Sequence, residues 1–166
     1  MESIPISTEG FNCIMQELER LKSERPEIIQ AIKEAREEGD LSENAGYDAA
    51  RERQGMLEAK ISYIESRMPR FNVVDMATIG GDKVIFGATV RLADLDTDVE
   101  REYTLVGPDE TDFIPREKGA ISVFSPVGRA LLGKEVGDEV TVEAPRGKIQ
   151  YEIMNIVFKG AFILPA

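Results

Sequence analysis

Histidine and tryptophan are missing from the 166 residues, and cysteine occurs once, as Cys13. One cysteine cannot close an internal disulfide, and zinc cages need several Cys or His ligands, so neither braces this fold. Any chemistry must proceed without an imidazole to share it. No apolar run approaches the roughly 20 residues that span a bilayer. The first residues, MESIPISTEG, have neither a basic start nor an apolar h-region. No export signal and no membrane partner are therefore expected, and a cytoplasmic location is.

Positive charge is also short. The net charge is −11, and the deficit is spread evenly. Residues 1–71 hold 15 acids against 10 bases, and residues 72–166 hold 16 against 10. Free-standing nucleic-acid binding relies on neutralising phosphates, so an acidic balance in both halves argues against it. Contact with nucleic acid would need a local basic face or a partner that holds the nucleic acid.

What is present is ordinary in bulk, with 42% apolar and 31% charged residues. That length and composition suit one or two domains with a real core. The apolar spacing of the first half is unusually regular. Ile14, Leu18, Leu21, Arg25, Ile28, Ile32 and Ala35 alternate steps of four and three. Tyr47, Ala50, Gln54, Leu57, Ile61, Ile64, Met68 and Phe71 do the same. Both are heptad seams, interrupted only by Arg25 and Gln54.

The two seams mirror each other about residue 41. Ala35 falls opposite Tyr47, Ile28 opposite Gln54, Leu21 opposite Ile61, Ile14 opposite Met68, and Phe11 opposite Phe71. That symmetry predicts an antiparallel helical hairpin, with arms of about 45 Å at about 1.5 Å per residue. Gly39 stands where a helix C-terminus favours positive φ. Pro26 predicts a kink or short break near Glu24–Pro26, because a helix-interior proline removes a hydrogen bond.

The turn region carries Asp40 and Glu43. Their spacing is that of a capping box, with Asp40 accepting backbone N–H bonds and Glu43 reaching back. Alternatively, they are paired ligands at the tip of a long arm. Magnesium commonly takes one or two carboxylates, with waters and substrate phosphates completing its octahedron. Two acids alone are an incomplete set, suited to a site finished by a partner. On spacing alone, both readings stand.

From Val73 onward the pattern changes to short β-branched and aromatic runs separated by Gly, Pro and Asp. APRGKIQ predicts a hairpin turn, and SPVGRALLGK one short helix with Ser125 as N-cap and Pro126 in its first turn. The expectation is an antiparallel sheet with one helix, an α+β domain. The predicted division is 1–74 and 75–166, linked near Asn72–Asp75, where MPRFNVVD is too apolar for a loose tether.

The stretch PEIIQAIKEAREEGDLSENAGYDAARERQ, residues 26–54, resembles the signature of the Gre family of bacterial transcript-cleavage factors. Residues 84–98, VIFGATVRLADLDTD, resemble the start of that family's C-terminal domain. Residues 121–140, ISVFSPVGRALLGKEVGDEV, resemble its later core and docking loop. With IPISTEGFNCIMQELERLKSERPEI at the start, the resemblance covers nearly the whole chain in order.

The resemblance implies a monomer with no activity of its own, made of a coiled-coil hairpin and an FKBP-like domain. Such factors bind bacterial RNA polymerase and pass the coiled coil down the secondary channel. At the catalytic centre the tip acids, here Asp40 and Glu43, help hold a second Mg2+ and a water shared with the polymerase. The polymerase then cuts its own backtracked RNA near the 3′ end. Phe124, Ser125 and Pro126 match the loop that grips the polymerase's largest subunit. Lys33, Arg36, Arg51 and Arg53 match a basic patch that contacts RNA or the channel; otherwise they are a solvated helical face.

Some residues depart from that family's pattern. Glu is common at the place of Gly46 and His at the place of Asp48, and a glycine there weakens the helix by about 1 kcal/mol. KGAFILPA runs past the usual end and is expected either to pack on the core or to trail from it. Tyr47 is expected to pack in the seam. Isomerase activity is not expected, since such a pocket needs an aromatic lining. Two rival readings remain for the whole chain: an inhibitory channel binder of the same shape, and a coiled-coil chaperone or adaptor.

Overall fold

The computed structural model describes residues 2–39 and 44–163. Its contacts divide the chain into two compact units, Ile14–Arg70 on one hand, and Met1–Cys13 with Phe71–Ala166 on the other. Among the described residues no helix is long and apolar enough to cross a membrane.

The Ile14–Arg70 unit is helical. Helix α1 (Thr8–Ser23) enters it, followed by α2 (Arg25–Glu37) and α3 (Ala45–Arg67). The expected break falls at Glu24, between α1 and α2. Pro26 lies in the first turn of α2, where a missing N–H leaves no bond unmade. The register continues across the break, since Glu24 N–H donates to the Leu21 carbonyl and the Glu24 carbonyl accepts from Ile28 N–H, both at 3.1 Å.

The predicted seams form this unit's core. Leu18, Leu21, Ile28, Ile32, Ala50, Leu57 and Ile61 are buried together, with Tyr47, Ile64 and Met68 packed at the edge. Ion pairs line its flank: Lys22 with Glu65 (3.8 Å), Arg25 with Glu58 (2.7 Å) and Glu27 with Arg53 (3.9 Å). As one partner's number rises the other's falls, the order that antiparallel neighbours give. Arg25 keeps its place in the seam by sending both Nε and Nη2 out to the Glu58 carboxylate, each at 2.7 Å.

The other unit gathers the chain's first residues with its second half. Strand β1 (Ile4–Ser7) lies parallel to β2 (Phe71–Val74), Ile4 opposite Phe71 and Ser7 opposite Val74. By contacts the first 13 residues group with Phe71–Ala166. Asn72, in the expected link, is a strand residue. Ile4 and Ile6 are fully buried, which supplies the reason for the pairing. The rings of Phe11 and Phe71, opposed in the seam pattern, meet edge to face at 6.1 Å.

The sheet is mixed, in the order β5-β4-β3-β7-β6, where antiparallel pairing throughout was expected. Strands β3 (Thr89–Asp94), β4 (Glu100–Val106), β6 (Glu139–Ala144) and β7 (Gly147–Val157) pair antiparallel. Strand β5 (Ala120–Ser122) runs parallel to β4, Thr104 opposite Ala120. A parallel pair needs a crossover of about a dozen residues, and residues 107–119 provide it. The predicted turn closes β6 onto β7, with Ala144 opposite Gly147. Helix α4 (Pro126–Leu131) packs on this sheet, and Val90, Leu92, Leu105, Leu131 and Ile153 make its core.

The C-terminal stretch packs on this unit as far as it is described. Phe162 meets Phe86 edge to face at 6.4 Å, and Ile163 is buried with Val106 and Ile114. Lys159 pairs with Glu102 at 2.8 Å. Residues 164–166 lie outside the described residues.

Candidate functional site

The helix ends on either side of residues 40–43 set the site. Helix α2 stops as anticipated at a glycine. Glu38 N–H reaches the Ala35 carbonyl (3.3 Å), Gly39 N–H reaches that of Arg36 (3.4 Å), and Gly39 takes φ of +117°. Asp40 and Glu43 themselves, the expected ligands, lie outside the described residues.

The cap of α3 differs from the capping-box expectation. It is Asn44, whose Oδ1 accepts from Tyr47 N–H at 3.0 Å. The Asn44 amide Nδ2 also donates across to the Ala35 carbonyl on α2, at 2.7 Å. One side chain therefore satisfies an orphan N–H of one helix and a terminal C=O of the other. An Asn just before a helical run is itself a cap signal, which the stronger-looking Asp40–Glu43 spacing obscured. Gly46 and Asp48 are exposed in the first turn of α3. A Cβ at position 46 would come within 3.3 Å of Asn44 Oδ1, so glycine leaves that cap room.

Three of the four basic candidates share one groove. Lys33, Arg36 and Arg51 line a groove of about 520 Å³ with Ile29, Ile32, Glu37 and Gln54. The Arg36 guanidinium lies 5.9 Å from the Tyr47 ring centroid, a cation–π distance. Arg51 donates to Gln54 Oε1 at 3.1 Å. Arg53 is absent from the groove lining and lies 3.9 Å from Glu27. Tyr47 packs half-buried against the seam, as its spacing required. Ile29 is 58% exposed beside the cations. The groove thus sets three cations and one acid beside an apolar wall.

In the other unit, Phe124, Ser125 and Pro126 form one turn. Ser125 Oγ accepts from Gly128 N–H (3.1 Å) and donates to the Ser122 carbonyl (2.6 Å), capping α4 as predicted. Phe124 N–H is held by Ser122 Oγ at 3.0 Å, and the Phe124 side chain is 40% exposed. Pro126 is exposed at the first helical position. A Cβ on Gly128 would collide with the Ser122 carbonyl, so only glycine permits this tight approach. The turn presents an aromatic ring on a rigid base.

Among the described residues, no group of three or more His, Cys, Asp or Glu is placed to hold a metal ion. A buried carboxylate that the sequence did not flag, Glu110, serves the fold: it accepts from Ser7 and Gly107 N–H.

Two family models match the chain: "Transcription elongation factor, N-terminal" over residues 4–73, and "Transcription elongation factor, GreA/GreB, C-term" over residues 79–158. A transcription elongation factor GreA of Nitratidesulfovibrio vulgaris (strain Miyazaki F) is 69% identical over 161 residues, 97% of this chain and 99% of that protein. That of Hyphomonas neptunium is 51% identical over 160 residues, 96% of this chain and all of that one. Among solved structures, GreA factor homolog 1 of Thermus thermophilus is 28% identical, covers 94% of this chain and 99% of its own, and has a TM-score of 0.43.

Proposed function

Because the chain belongs to the GreA/GreB family of transcription elongation factors, we propose that it stimulates bacterial RNA polymerase to cleave its own backtracked RNA, and is no enzyme itself. One observation carries the mechanism. Asn44 caps α3, so the capping role that competed for Asp40 and Glu43 is already filled. The two acids then serve chemistry better than they serve the helix.

Support for a coiled-coil hairpin comes from the shared seam and the opposed ion pairs of the Ile14–Arg70 unit. Such a hairpin enters the polymerase's secondary channel and brings Asp40 and Glu43 to the catalytic centre. Their carboxylates are the residues that would hold a Mg2+ shared with polymerase ligands and substrate oxygens. When bound, that ion supplies charge stabilisation and an activated water for phosphodiester hydrolysis. Asp40 and Glu43 would help hold the ion and orient its water, while Lys33, Arg36 and Arg51 hold the extruded RNA 3′ segment by its phosphates. Phe124, Ser125 and Pro126, on an FKBP-like domain, grip a coiled coil of the polymerase's largest subunit, and the factor acts as a monomer.

Backtracked elongation complexes with labelled 3′ RNA test this. The wild type produces magnesium-dependent cleavage, and Asp40→Ala and Glu43→Ala keep polymerase binding but lose nearly all of it. Binding without cleavage by the wild type would identify an inhibitor instead. No binding would leave an adaptor.

A further inference from the structure

Resting on the reading that Lys33, Arg36 and Arg51 hold extruded RNA, we propose that Tyr47 and Gln54 are positioning residues for that groove. Each is a neutral side chain that aims one arginine and leaves its charge free for phosphate. The two stand seven apart on α3, in the same seam. Gln54 is also the polar residue that interrupts that seam.

Elsewhere in the helical unit, cations are held by acids. Arg20 reaches Glu17 (2.6 Å) and Glu24 (2.9 Å), Lys22 reaches Glu65 (3.8 Å), Arg25 reaches Glu58 (2.7 Å) and Arg53 reaches Glu27 (3.9 Å). Arg36 and Arg51 are held by groups without charge. The Arg36 guanidinium lies 5.9 Å from the Tyr47 ring centroid, and Arg51 Nη1 donates to Gln54 Oε1 at 3.1 Å. A carboxylate in either place would cancel the positive charge and compete with phosphate for the same N–H donors. A ring face or an amide oxygen fixes the direction of the guanidinium and cancels nothing.

Both holders are themselves steadied by packing. Tyr47 lies against the buried cluster that includes Ile28, Ile32 and Ala50. Gln54 is half-buried and lines the groove beside Ile32. Long side chains ordered before a ligand arrives lose less freedom when it binds. Glu37 is the acid in the groove lining, and the arginines must outweigh it. A polar residue in a heptad seam costs stability, and holding Arg51 gives Gln54 a reason to stand there.

The test uses the full chain with two kinds of elongation complex, one backtracked with an extruded RNA 3′ segment and one not backtracked. Half-saturating factor concentration for cleavage, binding to the second complex, and melting temperature are measured. Tyr47→Leu and Gln54→Leu raise half-saturation on the order of 2- to 5-fold and leave binding to the second complex unchanged. Gln54→Leu melts at or above the wild type, so its loss does not come from unfolding. Tyr47→Phe, which keeps the ring, restores what Leu loses. Gln54→Glu loses more than Gln54→Leu and flattens the salt dependence, because its carboxylate neutralises Arg51. Added to Arg36→Gln, Tyr47→Leu costs nothing further. Wild-type half-saturation in both Leu variants overturns the proposal, as does a loss that follows melting temperature or appears equally on the second complex. If Arg36→Gln and Arg51→Gln leave half-saturation unchanged, the groove does not hold RNA, and that reading falls first and takes the proposal with it.

Discussion

Glu110 reaches Ser7 across 103 positions of sequence, accepting its backbone N–H at 3.2 Å and its hydroxyl at 2.5 Å. Ser7 Oγ in turn accepts Gly10 N–H at 3.0 Å in the first turn of α1. Gly107 N–H supplies a further bond to Glu110 at 2.8 Å. The crossover between β4 and β5 is thereby fastened to the chain's N-terminal segment.

Burial pushes the Glu110 carboxyl above its ordinary value of 4.5; the bonds from Ser7 and Gly107 oppose this, and the nearby Glu9 charge adds to it. The folded state therefore holds this proton more tightly than the unfolded chain. Its contribution is complete below 4.5 and fades as pH rises through the folded value. Thermal melting of wild type and Glu110→Gln across pH 4 to 8 checks this: the difference between them shrinks as pH rises. At low pH the amide variant is the less stable by about 1–3 kcal/mol, because it cannot satisfy the same donors.

The C-terminal stretch is part of the fold. Ile163 is 7% exposed beside Val106 and Ile114, so Ile163→Ala costs about 2–4 kcal/mol by loss of buried methylenes and the cavity left behind. A chain ending at Phe158 also loses Phe162 and melts lower still. Urea titrations of the three proteins measure both effects.

Within the basic set, the groove separates strong from weak. Replacing Lys33, Arg36 and Arg51 together with Gln lowers cleavage and flattens its salt dependence, because fewer phosphates are neutralised. Arg53→Gln, outside the groove, changes either much less. Cleavage rates over a potassium chloride series distinguish them.

Phe124 is exposed on a turn whose base is held by Ser122 and Ser125. Phe124→Ala therefore raises the factor concentration needed for half-maximal cleavage about tenfold or more, as loss of an aromatic anchor does. It leaves the rate at saturation and the melting temperature unchanged. Ser125→Ala, by contrast, removes a cap worth about 1 kcal/mol and moves both melting and half-saturation.

Local pattern made much of this legible. The heptad spacing of Leu18 to Ile61, the break beside Pro26, the glycine stop at Gly39, the Ser125 cap and the β6–β7 turn each depend on residues a few positions apart, where propensity and hydrogen bonding act directly. Around the acid pair the sequence was ambiguous. Two cap-like residues, Asp40 and Asn44, stand four apart, and the bond from Tyr47 N–H marks the second as the cap of α3.

By its own order of residues, then, the chain determined its helices, its strand runs, the mirrored seams and the acidic pair between them. Only the tertiary structure decided that β1 pairs with β2, that β5 runs parallel to β4, that Glu110 ties down Ser7, and that Asn44 bridges two helices. The physical reason is distance along the chain. Periodicity reports which face a residue turns to the core, but many partners can cover that face. The choice among them is made when buried N–H and C=O groups must all be satisfied at once.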